Sequence, residues 1–315
     1  MTWQRPVIAI IGPTAVGKTA FSLSLARNLN AEILSVDSRQ VYRYMDVGTD
    51  KIDGVTRRQI LHHLIDIADP DEIFTAADFH FLATAAMERI ARRGRVPLFV
   101  GGTMFYYQAL FGRLLTEGLP TDEAVRSRLQ RETEHLDDAS LHGRLAAVDA
   151  ERATALHPHD RQRVLRALEI FEITGRRPTD LFREKARLCS PYRPLYIGLT
   201  RPRGELVHTI DRRVREQFSA GYVDEVKWLL DRGFEEHLPS MQGFGYREIV
   251  AYLRGRISLE EAIEGDIRST KAFARRQMTW FRKFEPALWY DVSCVDQGRF
   301  LEEVTDICQR HLKEV

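Results

Sequence analysis

Two rhythms of hydrophobic and polar residues run along the first third of the chain. Short, mainly apolar runs of strand length occupy residues 7–11, 33–36 and 96–100. Between them the apolar positions spread to helical spacing. Phe21, Leu25 and Leu29 follow the first run, and Phe79, Leu82, Ala83, Ala86 and Ile90 share one face of a longer segment beginning at Ala76. Gly94 is placed to end that segment. Pro97 falls near the start of the third run, where a missing ladder bond costs least. Strands and helices alternating at this interval predict a parallel sheet with helices on both faces.

From about residue 121 to 188 the strand signal disappears. Residues 160–174 are helical in pattern, with Val164, Leu165, Leu168 and Phe171 aligned and Gly175 then Pro178 as stop signals. Asp160, or a histidine of the preceding His157-Pro158-His159 turn, is the expected cap. Strand character returns at 195–199 and 288–292, each followed by helical pattern. The expected fold is therefore α/β: a parallel core of five strands, built from residues 1–120 and 189–315, interrupted by an all-helical insertion at 121–188.

Composition narrows the class without naming a function. A chain of 315 residues with 44% hydrophobic and 29% charged side chains is that of a folded, soluble protein and not a disordered one. The 46 basic residues against 45 acidic ones leave a formal charge of +1, which excludes binding of nucleic acid by bulk charge but not by a local basic face. Cys189, Cys294 and Cys308 form no CxxC pair, so neither a zinc site nor a disulfide framework is expected. The run at 7–11 is too short for a signal sequence, and no stretch approaches the ~18 apolar residues of a membrane span. A cytoplasmic protein is expected.

The first chemistry-bearing motif follows the first strand. Gly12-Pro13-Thr14-Ala15-Val16-Gly17-Lys18-Thr19 matches G-x-x-x-x-G-K-[ST] and lies between a strand and a helix, the context the motif requires. Its glycines let successive backbone N–H groups turn inward on phosphate oxygens, and the helix N-terminus adds partial positive charge. Lys18 is placed to neutralise phosphate oxygens and Thr19 to ligate Mg²⁺. The loop names a phosphate-bearing ligand, not a reaction. The third strand ends Val100-Gly101-Gly102-Thr103 without an acid, whereas the second ends Val36-Asp37-Ser38. Asp37 is thus the one strand-end carboxylate near the loop: a metal partner, a general base, or simply a turn cap.

Several longer segments add a resemblance. GPTAVGKT at 12–19, DSRQVYRYMDVGTDK at 37–51, HHLIDIADPDE at 62–72 and GGTMFYYQAL at 101–110 are joined by DRQRVLRALEIFEITGRRPT at 160–179, GFGYREI at 243–249 and RRQMTWFRK at 275–283. With these the chain closely resembles the tRNA dimethylallyltransferases over nearly its whole length. The resemblance implies transfer of a dimethylallyl group from its diphosphate to N6 of the adenosine immediately 3′ to the anticodon. It implies that Gly12, Thr14, Ala15, Val16, Gly17, Lys18, Thr19 and Arg213 hold the diphosphate with Mg²⁺, that Asp37 is the base, and that Thr103 hydrogen-bonds the adenine or holds Asp37 in register. The tRNA-contact segments it implies are Asp37, Ser38, Arg39 and Gln40; Gln162, Arg163, Val164, Leu165 and Arg166; and Gln242, Gly243, Phe244, Gly245, Tyr246 and Arg247, with Thr103 and Arg126 as further contacts. The departures from the family pattern are Tyr44 for a common glycine, Ile52 for a common proline and Lys271 for a usual arginine. The zinc finger of eukaryotic relatives is missing, as in bacterial forms, and a monomer is expected.

Local charge fits an RNA partner better than the total does. Residues 268–283 carry six basic side chains and no acid, interleaved with Phe273, Trp280 and Phe281, for which core packing is a simpler role than base stacking. Arg163 and Arg166 would otherwise read as a solvated helix face. His62 and His63 point apart on any regular element and make a poor metal pair. Tyr106, Tyr107 and Phe111 are core residues or the wall of a prenyl slot. Three rival functions remain: a prenyltransferase acting on free adenine nucleotides, a small-molecule kinase, and an RNA binder with a vestigial phosphate loop. The helical insertion counts against the first, the acid-free third strand against the second, and retention of Lys18 and Asp37 against the third.

Overall fold

The computed structural model describes residues 5–112, 119–186 and 190–313; Cys189 lies outside them. Six strands, β1 (Arg5–Ile11), β2 (Ala31–Val36), β3 (His62–His63), β4 (Val96–Gly101), β5 (Tyr192–Thr200) and β6 (Ala287–Asp291), form one sheet in the order β3-β2-β4-β1-β5-β6. Every adjacent pair is parallel. The five expected strands are thus present with a sixth at the edge. Two histidines have no apolar alternation to announce them, and β3 owes its place to pairing with Ile33 and Leu34.

Fourteen helices are described: α1 (Lys18–Leu29), α2 (Gly54–Gln59), α3 (Ala76–Arg92), α4 (Met104–Leu110), α5 (Glu123–Thr133), α6 (Asp138–Val148), α7 (Ala150–Ala155), α8 (Arg161–Thr174), α9 (Pro178–Ala186), α10 (Arg203–Ser219), α11 (Tyr222–Asp231), α12 (Tyr246–Leu253), α13 (Leu259–Phe281) and α14 (Gln297–Lys313). The chain divides into two compact units, one from residues up to Phe111 and from Pro191 onward, the other Gly112–Ser190.

The first unit carries the whole sheet. A strand buried on both faces favours apolar residues at successive positions, which is why residues 7–11 of β1 read as a run and not as an alternation; β2 is buried throughout as well, with Glu32 and Ser35 among its apolar residues. Ile8 and Ile10 of β1 pack with Leu25 of α1 and with Val304 and Cys308 of α14 on one face. The opposite face is aromatic: Tyr107 of α4 meets Tyr196, Phe281 and Phe284 edge-on. α3 starts on a capping box in which Thr75 and Asp78 exchange hydrogen bonds, so its register is set before its apolar face meets the core.

In the second unit every described element is a helix, α5 to α9. Leu129, Leu141, Leu145, Val164 and Leu168 make its core. Asp160 caps α8 by accepting from the Arg163 N–H, and Gly175 closes that helix in the left-handed region.

Candidate active site

The phosphate loop spans the turn from β1 to α1. A Cβ on Gly12 would lie 2.5 Å from the Leu199 carbonyl oxygen, and its φ of +146° suits glycine alone. The side chain of Lys18 folds back over the loop, its Nζ donating to the carbonyls of Gly12 at 2.9 Å and Pro13 at 2.7 Å. Desolvation lowers this amine to about 7; Arg213 pushes the same way and Asp37 opposes. Arg213 reaches over from α10, donating to Thr14 Oγ1 at 2.6 Å and to Asp50 at 3.3 Å, while its buried Nε has no partner among the described residues. Two cations therefore meet at one loop, and carbonyls and Asp50 offset them only in part.

The other wall is built where β2 and β4 end. Asp37 closes an Asx turn, its Oδ1 accepting from the N–H groups of Arg39 at 2.8 Å and Gln40 at 3.3 Å. The expected turn cap is therefore real, but it uses one carboxylate oxygen and leaves Oδ2 without a partner among the described residues. Thr103 Oγ1 accepts from the Ser38 N–H at 2.9 Å, and the Thr103 N–H donates to the Val36 carbonyl. Thr103 thus holds the Asp37 turn in register. Arg39 donates to the carbonyls of Pro239 and Ser240, and its guanidinium closes against Gly243. This joins the segment at 37–40 to the one at 242–247.

A cavity of about 600 Å³ takes in both walls, lined among others by Lys18, Thr19, Asp37, Thr103, Arg213 and Phe244. Part of its lining is apolar, from Ala20, Ile33, Ile52, Ile65 and Val100. Tyr106, Tyr107 and Phe111 are not in it. They are 6% exposed or less; Tyr106 stacks on Phe79 and the Tyr107 hydroxyl donates to the Ile10 carbonyl. The core reading holds for them, and the apolar part of the cavity lining comes from aliphatic residues instead. Phe281 is core as well, but Trp280 is exposed and Phe273 stands in the cavity beside Phe244, ring centroids 5.2 Å apart.

Among the described residues no group of three or more His, Cys, Asp or Glu could hold a metal. His62 Nδ1 meets the Ile60 carbonyl and His63 Nε2 meets Glu32, so neither faces a shared site. The hydroxyl of Thr19 and the free oxygen of Asp37 in one lining are hard donors and few, which suits a cation that keeps waters and takes phosphate oxygens.

Similarity to known proteins decides the class of the chain. Residues 40–284 match the family model described as IPP transferase. The chain belongs to the IPP transferase family. A tRNA dimethylallyltransferase of Heliobacterium modesticaldum is 43% identical over 303 residues, 96% of this chain and 95% of that protein. One from a Roseiflexus species is 47% identical over 284 residues, 90% and 92% of the two chains. The crystal structure of the tRNA isopentenylpyrophosphate transferase from Bacillus halodurans superposes with a TM-score of 0.74 at 40% identity, covering 99% of this chain and 97% of that one. A eukaryotic dimethylallyltransferase described as acting on tRNA gives 0.82 at 28% identity, covering 98% and 80%. The chain is thus a transferase of the prenyl-transferring, tRNA-modifying kind.

Tyr44 is left-handed, at φ 66°, and packs on Trp228 and Phe234. Lys271 lies 3.5 Å from Asp211.

The remaining expected contacts lie in the helical unit. Arg126 on α5 and Arg166 on α8 both pair with Glu169, which is 1% exposed, and Arg163 pairs with Asp160. Gln162 and Arg163 are exposed, Leu165 and Arg166 are half-buried, and Val164 is wholly buried. Val164 therefore supports the first turn of α8 from beneath. In the first unit Gln242 and Arg247 are exposed, while Gly243, Gly245 and Tyr246 are buried. Val16 is buried too, leaving its backbone N–H as the group it can offer. Pattern reading missed Gln277, Asp50 and Glu225, whose partners lie far off in sequence.

Proposed function

We propose that this chain transfers a dimethylallyl group from dimethylallyl diphosphate to N6 of the adenosine immediately 3′ to the anticodon in tRNA. The observation that carries the reading is one cavity with Lys18 and Arg213 at one wall and the free oxygen of Asp37 at the other. The exocyclic amine of adenine is a weak nucleophile, because its lone pair is delocalised into the ring. Transfer then needs charge stabilisation on the leaving group, removal of a proton, and alignment.

In this reading the amides of residues 15–19, Lys18 and Arg213 hold the diphosphate and take up the charge that grows as its C–O bond breaks. N6 forms the new C–N bond, and Asp37 Oδ2 accepts the proton that N6 sheds. Thr103 keeps the Asp37 turn in place. Ala20, Ile33, Ile52, Ile65 and Val100 offer the five prenyl carbons a dry wall, worth about 0.8 kcal/mol per buried methylene. Thr19 would hold Mg²⁺, which when bound supplies further positive charge to the diphosphate. The target base must leave its stack to enter, at a cost of a few kcal/mol. Phe244 and Phe273 offer it a face. Residues 121–188, with Arg126 and the start of α8, would contact the anticodon stem-loop of a monomeric, cytoplasmic enzyme.

The test is incubation with labelled dimethylallyl diphosphate and Mg²⁺, offering tRNA or AMP. Label in tRNA and none in AMP is expected; the reverse would overturn the reading. Asp37→Ala should lower the single-turnover rate by about 10²–10⁴ while the diphosphate still binds. A near-normal rate would remove Asp37 as the base.

A further inference from the structure

We infer that Gln277 is a positioning residue for this reaction, a rigid strut that sets the phosphate loop against the turn carrying Thr103 and Asp37. The inference rests on the function proposed above. Gln277 projects from α13 and is 1% exposed. Its Oε1 accepts from the Thr14 N–H at 2.8 Å, and its Nε2 donates to the Gly102 carbonyl at 2.8 Å. The two partners fix the amide orientation, since an N–H only donates and a carbonyl only accepts.

Each contact leads directly to reacting groups. Thr14 belongs to the phosphate loop and takes the Arg213 guanidinium on its hydroxyl. Gly102 precedes Thr103, whose hydroxyl holds the Ser38 N–H next to Asp37. The strut therefore links the leaving-group wall to the base wall through two 2.8 Å bonds, the one to Gly102 buried and the one to Thr14 part-buried. The fit is close: a Cβ on Gly102 would stand 2.2 Å from Gln277 Nε2, so a glycine is needed for the amide to reach. Only a side chain with one donor and one acceptor at this length satisfies both loops. Ionised glutamate would accept from Thr14 but set an oxygen against the Gly102 carbonyl, whereas protonated glutamate restores the donor.

That difference makes the test. Gln277→Glu and Gln277→Met are compared with the wild-type chain in tRNA prenylation at saturating substrates, across pH, with thermal unfolding followed over the same range. Lys18 and the other charged groups of the cavity, Asp37, Asp50 and Arg213 among them, are the same in all three proteins, so the ratio of variant to wild-type kcat is the readout. At about pH 8.5 both variants should lose on the order of 10²-fold in kcat, with KM for dimethylallyl diphosphate changed far less. The glutamate ratio should climb back to within a few-fold of one as its buried carboxyl takes up a proton, above the ordinary carboxylate range, and the methionine ratio should stay flat. A glutamate ratio independent of pH, or wild-type kcat in both variants, overturns the inference. So does a recovery that merely tracks the unfolding midpoint, which would make Gln277 structural only. A wild-type chain that prenylates no tRNA would instead defeat the proposed function.

Discussion

At the phosphate loop Lys18 and Arg213 are held by backbone carbonyls, a threonine hydroxyl and one ion pair to Asp50. Across the same unit, on α11 to α13, the buried or half-buried charges are acids apart from Lys271, which is paired with Asp211. Glu225 accepts from three successive N–H groups, those of Asp46 and Val47 at 2.6 Å and Gly48 at 3.1 Å, and from the Tyr246 hydroxyl. Glu248 accepts from the Gly245 N–H and from Arg247. Backbone donors that surround an anion stabilise it through charge-assisted hydrogen bonds. Carbonyls around an amine do less here, and the amine is lowered to about 7. The acids are tied into the fold, whereas the two cations keep charge that the protein itself compensates only in part.

The largest expected effect breaks the cationic half. Lys18→Met should reduce turnover by about 10²–10³ and weaken diphosphate binding, with no loss of unfolding stability because a poorly solvated amine is removed. A stability loss with normal kinetics would reverse the contrast. Next, Glu225→Gln should cost about 2 kcal/mol in denaturant unfolding, since the neutral amide accepts more weakly from the Asp46–Gly48 turn; unchanged stability would show the acid to be incidental.

Asp266 sharpens the comparison, because among these acids it is poorly compensated. Burial raises its carboxyl to about 6, although the Thr270 hydroxyl pulls it down. The folded state then holds this proton more tightly than the unfolded one, so stability is lost as pH rises from about 4 through 6. Asp266→Asn should gain about 2 kcal/mol in unfolding free energy above that range and less at its acid end. A pH-independent gain would point to packing instead. The smallest effect concerns Arg268, Arg275, Arg276, Arg282 and Lys283, exposed and without ion pairs among the described residues. Replacing Arg275 and Arg282 by Gln should lower the log–log salt slope of tRNA binding by about 0.7–0.9 for each phosphate that is no longer neutralised.

Legibility followed sequence distance. The loop at 12–19 and the strand-end Asp37 could be read because their chemistry is local, a curled backbone or a carboxylate at the mouth of a strand. Arg213 came only through resemblance, and Gln277 not at all: its bond to Thr14 spans 263 residues. The edge strand β3 escaped because two histidines have no period. Tyr106, Tyr107 and Phe111 left two roles open, since aromatic spacing on a helix is the same whether the helix faces core or ligand.

By itself the amino-acid order determined the parallel α/β core, the helical stretch within it and the glycine-lined loop between β1 and α1. Each of these depends on hydrophobic period, turn residues and backbone freedom within a few neighbours. Tertiary structure alone decided which charges were left without partners, which wall of the cavity is apolar, and which buried amide ties the two reacting walls together. Those properties depend on desolvation and on contacts between distant segments, and both exist only after the sheet has assembled.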